Sequence, residues 1–235
     1  MKLTNSNRIR KKLAAEFVGT FVLVFAGTGA IIINDLSGGT ITHLGVAITF
    51  GLVILTMIYT VGDVSGAHMN PAVTFGFYLA RQFSGRNVLP YISSQLLGAM
   101  VGSLCLRLMF AQHQMLGSTQ PSGSVMQSFA MEIVLSLILM FVILSVSTGA
   151  KEKGVTAGIA VGSTVALAAL FAGPISGASM NPARSLAPAF LSVHLENLWI
   201  YLTAPFIGAA LAIPLCRGVQ ADGCCNTAPS TNVCE

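Results

Sequence analysis

The residues of this chain that could do chemistry sit in two stretches of eight. Residues 65–72 read Ser-Gly-Ala-His-Met-Asn-Pro-Ala, and residues 176–183 read Ser-Gly-Ala-Ser-Met-Asn-Pro-Ala. They differ at one position and lie 111 residues apart in a chain of 235, the mark of an internal repeat. In each, a Gly-containing turn leads to Asn and then Pro, the order in which a helix begins. The Asn side chain accepts from otherwise orphan amides, and Pro gives up no donor that the first turn needs. Helix starts are therefore expected at Asn70, Pro71 and Ala72, and at Asn181, Pro182 and Ala183. Each Asn also carries an amide NH₂ that can orient a passing oxygen.

A few polar residues accompany the motifs. Arg184 directly follows the second and lies within a long apolar stretch, where a charge usually faces a cavity and marks a pathway. Glu16 and Glu132 occupy equivalent places in the two halves. They read as acceptors for the non-helical loops before each motif, with proton coupling as the alternative. His68 reads as loop packing, and Gln95 as a bond from its span to a neighbouring helix or loop. No nucleophile–base or metal-ligand spacing occurs, so neither catalysis nor a cofactor is expected.

Composition says what must position these groups. The chain is 54% hydrophobic and 9% charged, against roughly 25% charged for a soluble domain. It is an integral membrane protein. Crossing a bilayer takes about 20 apolar residues, and six stretches qualify: 13–33, 41–62, 88–110, 126–148, 155–173 and 197–216. Two shorter ones, 70–80 and 181–191, begin at the motifs. Three spans per half force the second half to run in the opposite sense, which makes the repeat inverted. Non-helical backbone at membrane depth must be buried in protein or line water. The two helix starts should thus meet near the midplane beside an aqueous path. Their opposed N-termini would repel cations there, including a proton on a water wire.

Of twelve basic residues, ten fall in the N-terminus, the 81–87 and 149–154 connections and the C-terminus. Arg107 and Arg184 are the other two. Such clusters flank membranes and fix orientation, so both termini are expected to be cytoplasmic and no nucleic-acid partner is expected. The expected layout is an N-terminal segment 1–12, one channel domain 13–217 with halves 13–110 and 126–217, and a tail 218–235. Cys105 and Cys216 lie in apolar runs, while Cys224, Cys225 and Cys234 lie in the tail, where a cytoplasmic location disfavours disulfides. Gly98 with Gly102, and Gly158 with Gly162, have the spacing that lets helices approach closely.

Taken together, the paired Asn-Pro-Ala motifs, the six spans, the inverted repeat and Arg184 resemble the aquaporin (major intrinsic protein) family over residues 10–217. The stretches beginning at Gly162 and Ser176 are similar to its plant nodulin-26-like branch and bacterial relatives. The resemblance implies an all-α membrane protein with six transmembrane helices and two half-helices, assembled as a homotetramer with a pore in each subunit. It also implies a narrow outer constriction at Phe50, Ala169, Ala178 and Arg184. Water-selective members carry His where Ala169 stands, so this constriction is expected to be wider and less polar. Other positions pull both ways: Leu202 beside Tyr201 departs from the aromatic pair of water channels. Ser185 replaces the Asp of glycerol channels, and Phe50 the Trp of the nodulin-like branch. The expected function is a passive pore in the cell membrane for water and small uncharged solutes, glycerol-like polyols or neutral metalloid hydroxides. A strictly water-selective pore and a coupled secondary transporter are the alternatives.

Overall fold

A computed structural model describes residues 5–147 and 151–220. They form α1 (Asn5–Leu36), α2 (Thr42–Ser65), α3 (Pro71–Leu79), α4 (Gly85–Met109), α5 (Val125–Ser147), α6 (Lys151–Ser176), α7 (Pro182–Ser192) and α8 (Leu198–Val219). Among the described residues there is no strand. Six of the helices are long and apolar enough to cross a membrane. The nine residues of α3 and eleven of α7 are too short, reaching about 14 and 17 Å at 1.5 Å per residue. Residues 1–4 of the expected N-terminal segment 1–12, residues 221–235 of the expected tail 218–235, with Cys224, Cys225 and Cys234, and residues 148–150 lie outside the described residues. Cys105 is a free thiol. Cys216 is disulfide-bonded.

Several helices run further than their apolar stretches, α1 and α6 among them. α1 starts before residue 13 because Arg8, Arg10 and Lys11 are good helix formers, and their exposed side chains carry the helix on beyond the apolar stretch. α6 does not stop at 173 but continues through Pro174 to Ser176. Proline removes the amide that would serve the Leu170 carbonyl. The His43 ring at the start of α2 supplies the missing donor, with Nε2 at 2.7 Å from that carbonyl.

The halves pack alike. α1 lies on α2 and α4 as α5 lies on α6 and α8, and each half-helix also crosses to the other half, α3 to α8 and α7 to α4. α2 and α6 face each other across the pseudo-two-fold. Their approach is fixed by main chain. A Cβ on Gly51 would lie 2.7 Å from the Gly162 carbonyl, and one on Gly162 would lie 2.7 Å from the Gly51 carbonyl. A second pair repeats the device: Gly98 abuts the Phe17 carbonyl of α1, and Gly208 abuts the Ile133 carbonyl of α5. Gly51 and Gly208 have no second glycine four residues away and emerge as partners in these contacts.

This contact generates a test. Alanine at 162 gains about 1 kcal/mol of helix propensity, but overpacking against a carbonyl typically costs about 1–3 kcal/mol. Gly162→Ala should therefore lower the thermal unfolding midpoint of the purified protein in detergent. A raised midpoint would show that the backbones have room to spare.

Candidate pore and its constriction

The loops entering α3 and α7 are built from residues that dislike their own conformation. Ala67, Met69, Ala178 and Met180 have φ of 47, 49, 43 and 53°, left-handed without being glycine. Each such residue costs of order 1 kcal/mol or more. Carboxylates from the long helices hold them there. Glu16 accepts from the Ser65 hydroxyl (2.7 Å), the amides of His68 (2.9 Å) and Met69 (2.7 Å), and Gln95 Nε2 (2.7 Å). Glu132 accepts from the Ser176 hydroxyl (2.8 Å) and the amides of Ser179 (2.9 Å) and Met180 (2.8 Å). Both carboxylates are fully buried, and bonds to a charged acceptor are about twice as strong as neutral ones. Two tyrosines finish the frame: Tyr91 donates to the Ser65 carbonyl at 2.9 Å, and Tyr201 to the Ser176 carbonyl at 2.7 Å. Tyr201, singled out by sequence as half of an aromatic marker, is here a loop anchor.

The asparagines do two jobs at once. Asn70 Oδ1 accepts from the Ala72 amide at 2.9 Å, and Asn181 Oδ1 from Ala183 at 3.0 Å and Arg184 at 3.4 Å, which caps both half-helices. Their Nδ2 atoms cross between halves: Asn70 donates to the Met180 carbonyl at 2.7 Å and Asn181 to the Met69 carbonyl at 2.8 Å. One N–H of each amide is thereby spent stitching the loops together. An amide has two; the fixed plane leaves the second with a set direction.

The halves part ways beside the motifs. The Thr74 hydroxyl donates to the Asn70 carbonyl (3.0 Å), so it accepts from His68 Nδ1 (3.1 Å) and Gln95 Nε2 (2.9 Å). The His68 ring is further stacked on Phe77, centroids 4.7 Å apart. In the second half a chain of hydroxyls replaces this group. Thr119 donates to Ser185 at 2.8 Å, Ser185 bonds to Ser179, and Ser179 donates to the Asn181 carbonyl at 3.0 Å.

Two cavities enter from opposite ends, about 120 Å³ on the side of the termini and about 320 Å³ on the other. The inner one is lined in part by His68, Asn70 and Asn181. Among the described residues, those lining both are Phe50, Ala169, Ala178 and Arg184. The Arg184 guanidinium lies 5.1 Å from the centre of the Phe50 ring, a cation–π distance, and Nη1 donates to the Gly117 carbonyl at 2.9 Å. Motif reading singles out neither Gly117, from the connection between α4 and α5, nor Thr119 and Tyr91. Ser65 and Ser176 open the two motifs, 111 residues apart, and Tyr91 with Tyr201 falls one residue short of that spacing, at 110.

The double duty of Asn181 can be separated. Asn181→Ala loses cap and stitch together and should lower stability by about 1–3 kcal/mol. Asn181→Asp keeps the cap oxygen but not the donor, so it should assemble and fail in permeation measured by vesicle light scattering. Unchanged flux in both variants would remove the donor from the mechanism.

Comparison with known proteins identifies the family. The family model described as Major intrinsic protein matches residues 3–215. "Probable aquaporin NIP4-2" of Arabidopsis thaliana is 47% identical over 85% of this chain and 71% of its own length. For "Nodulin-26" of Glycine max the figures are 46%, 85% and 74%. Among solved structures, the aquaglyceroporin from Plasmodium falciparum superposes with a TM-score of 0.79 at 28% identity, covering 87% of this chain and 93% of that one. The chain belongs to the major intrinsic protein family.

Proposed function

We propose that this chain is a passive pore for water and small neutral solutes, with glycerol-sized polyols and neutral metalloid hydroxides as the solute class. The observation that carries the reading is the ring shared by the two cavities. Two of its four side chains are methyl groups, so the narrow point keeps a large apolar face beside one cationic donor. A polyol has hydroxyls along one edge and carbons along the other. Arg184 can donate to the hydroxyls while Phe50, Ala169 and Ala178 meet the carbons. The second N–H of Asn70 and of Asn181 would serve the same oxygens further in. The N-termini of α3 and α7, aimed at one spot, place partial positive charge in the path and disfavour cations. That the structural neighbour is an aquaglyceroporin supports passage of more than water.

The basic residues at the termini and at Arg81 and Arg86 support a cytoplasmic location for both ends. Family membership supports a homotetramer. Labelling of a cysteine introduced near Ser230 by an impermeant reagent in intact cells would reverse the orientation.

The substrate reading rests on size at residue 169. In proteoliposomes, Ala169→His should reduce glycerol flux much more than water flux, because the imidazole fills the apolar space and adds a polar group. The measurement is the ratio of the two fluxes on the same vesicles. A parent protein that passes water alone, or a ratio that does not move, would make this a water channel with an unusual lining.

A further inference from the structure

The connection between α4 and α5 holds Arg184 from outside the helix that bears it, and that connection has a titratable anchor. Gly117 accepts from Arg184 and sits in the left-handed region at φ 68°, directly after Leu116 at φ 49°. A side chain at 117 would run into Thr28 of α1, 2.9 Å from its Cβ, so the main chain here is pressed against a helix. The Leu116 amide is tied to His113 Nδ1 at 3.0 Å. His113 Nε2 reaches Asp35 Oδ2, at the end of α1, across 3.3 Å. The His113 carbonyl accepts in turn from Arg107 Nη1 at 3.1 Å, and Arg107 Nη2 bonds the Leu191 carbonyl at the end of α7 at 2.8 Å.

These contacts fix the protonation state that the arrangement needs. An amide N–H donates to Nδ1, so Nδ1 is bare and the ring proton is on Nε2, facing the carboxylate. A second proton can go only to Nδ1, where it would meet the Leu116 N–H head-on. The charged ring and the Leu116–His113 bond exclude one another. The charged groups around His113 are Asp35 of α1, which faces the ring, Arg107 of α4, which bonds the His113 carbonyl, and Arg184 of α7, which bonds the Gly117 carbonyl.

We propose that neutral His113 is a positioning residue for Arg184, and that protonating it releases the turn at Leu116 and Gly117 and so slackens the hold on the guanidinium. The inference rests on the reading that Arg184 lines the pore. Permeation should consequently fall as the medium on the face away from the termini is acidified through the imidazole range. A purely structural histidine would give no such profile.

The test is flux through proteoliposomes, pH equal on both sides, from about pH 8 to about pH 5, the range across which imidazole changes charge. Water flux is read beside glycerol flux, so that the positioning claim is tested even if no polyol passes. The parent should lose flux several-fold toward the acid end. His113→Gln can still accept from Leu116 but cannot become a cation, so its flux should match the parent's at neutral pH and stay flat. Asp35→Asn removes the charge favouring the cation, so its loss should begin at lower pH than the parent's. A flat parent profile overturns the proposal, as does an unchanged one in either variant. Should His113→Gln fail to assemble, the direction of the Asp35→Asn displacement decides alone, and a displacement to higher pH or none overturns it.

Discussion

A peptide group in the middle of a bilayer has no water to turn to, and everything around the pore answers to that. The chain breaks its helices twice at membrane depth, leaving amides that no helix can satisfy. Glu16 and Glu132 gather them, two backbone amides each, with Ser65 and Ser176 adding a hydroxyl. A buried carboxylate is itself costly unless several donors surround it. Loop and carboxylate are each unaffordable without the other. That mutual need explains why acidic side chains sit in helices that otherwise read as lipid-facing.

The same pairing shows where the two halves are interchangeable and where they are not. Carboxylate, serine, tyrosine and crossed asparagine recur in both. The group beside the motif does not: His68, Thr74 and Gln95 on one side, three hydroxyls on the other. The hydroxyl chain reaches the connection between α4 and α5 through Thr119, so the second half-helix is tied to a surface segment and the first to a spanning helix. Arg184 stands on the tied half. Its geometry depends on a loop, whereas that of His68 depends on the packed core.

The fold was legible because its signals are periodic or repeated: long apolar stretches, a motif at half-chain spacing, basic residues on one side. Boundaries were less so. Pro174 argues for a helix end, and only the distant His43, filling the vacant carbonyl, makes the continuation affordable to the backbone. In the site, Asn70, Asn181, Arg184 and both glutamates stood out because polar groups are rare in apolar sequence. Gly117 did not. It contributes a carbonyl, which every residue has, and its fitness lies in a backbone angle and a neighbour on α1. Main-chain ligands leave little trace in residue type.

The reciprocal contact of Gly51 and Gly162 lies one residue from Phe50 and two turns before Ala169. The frame of the aperture is consequently set by peptide touching peptide, which leaves no slack for a side chain to redistribute. Substitutions at 169 or 178 can change bore and polarity while the frame keeps its gauge. A lineage carrying this frame could move between solutes by single replacements, each tried against the same fixed ruler.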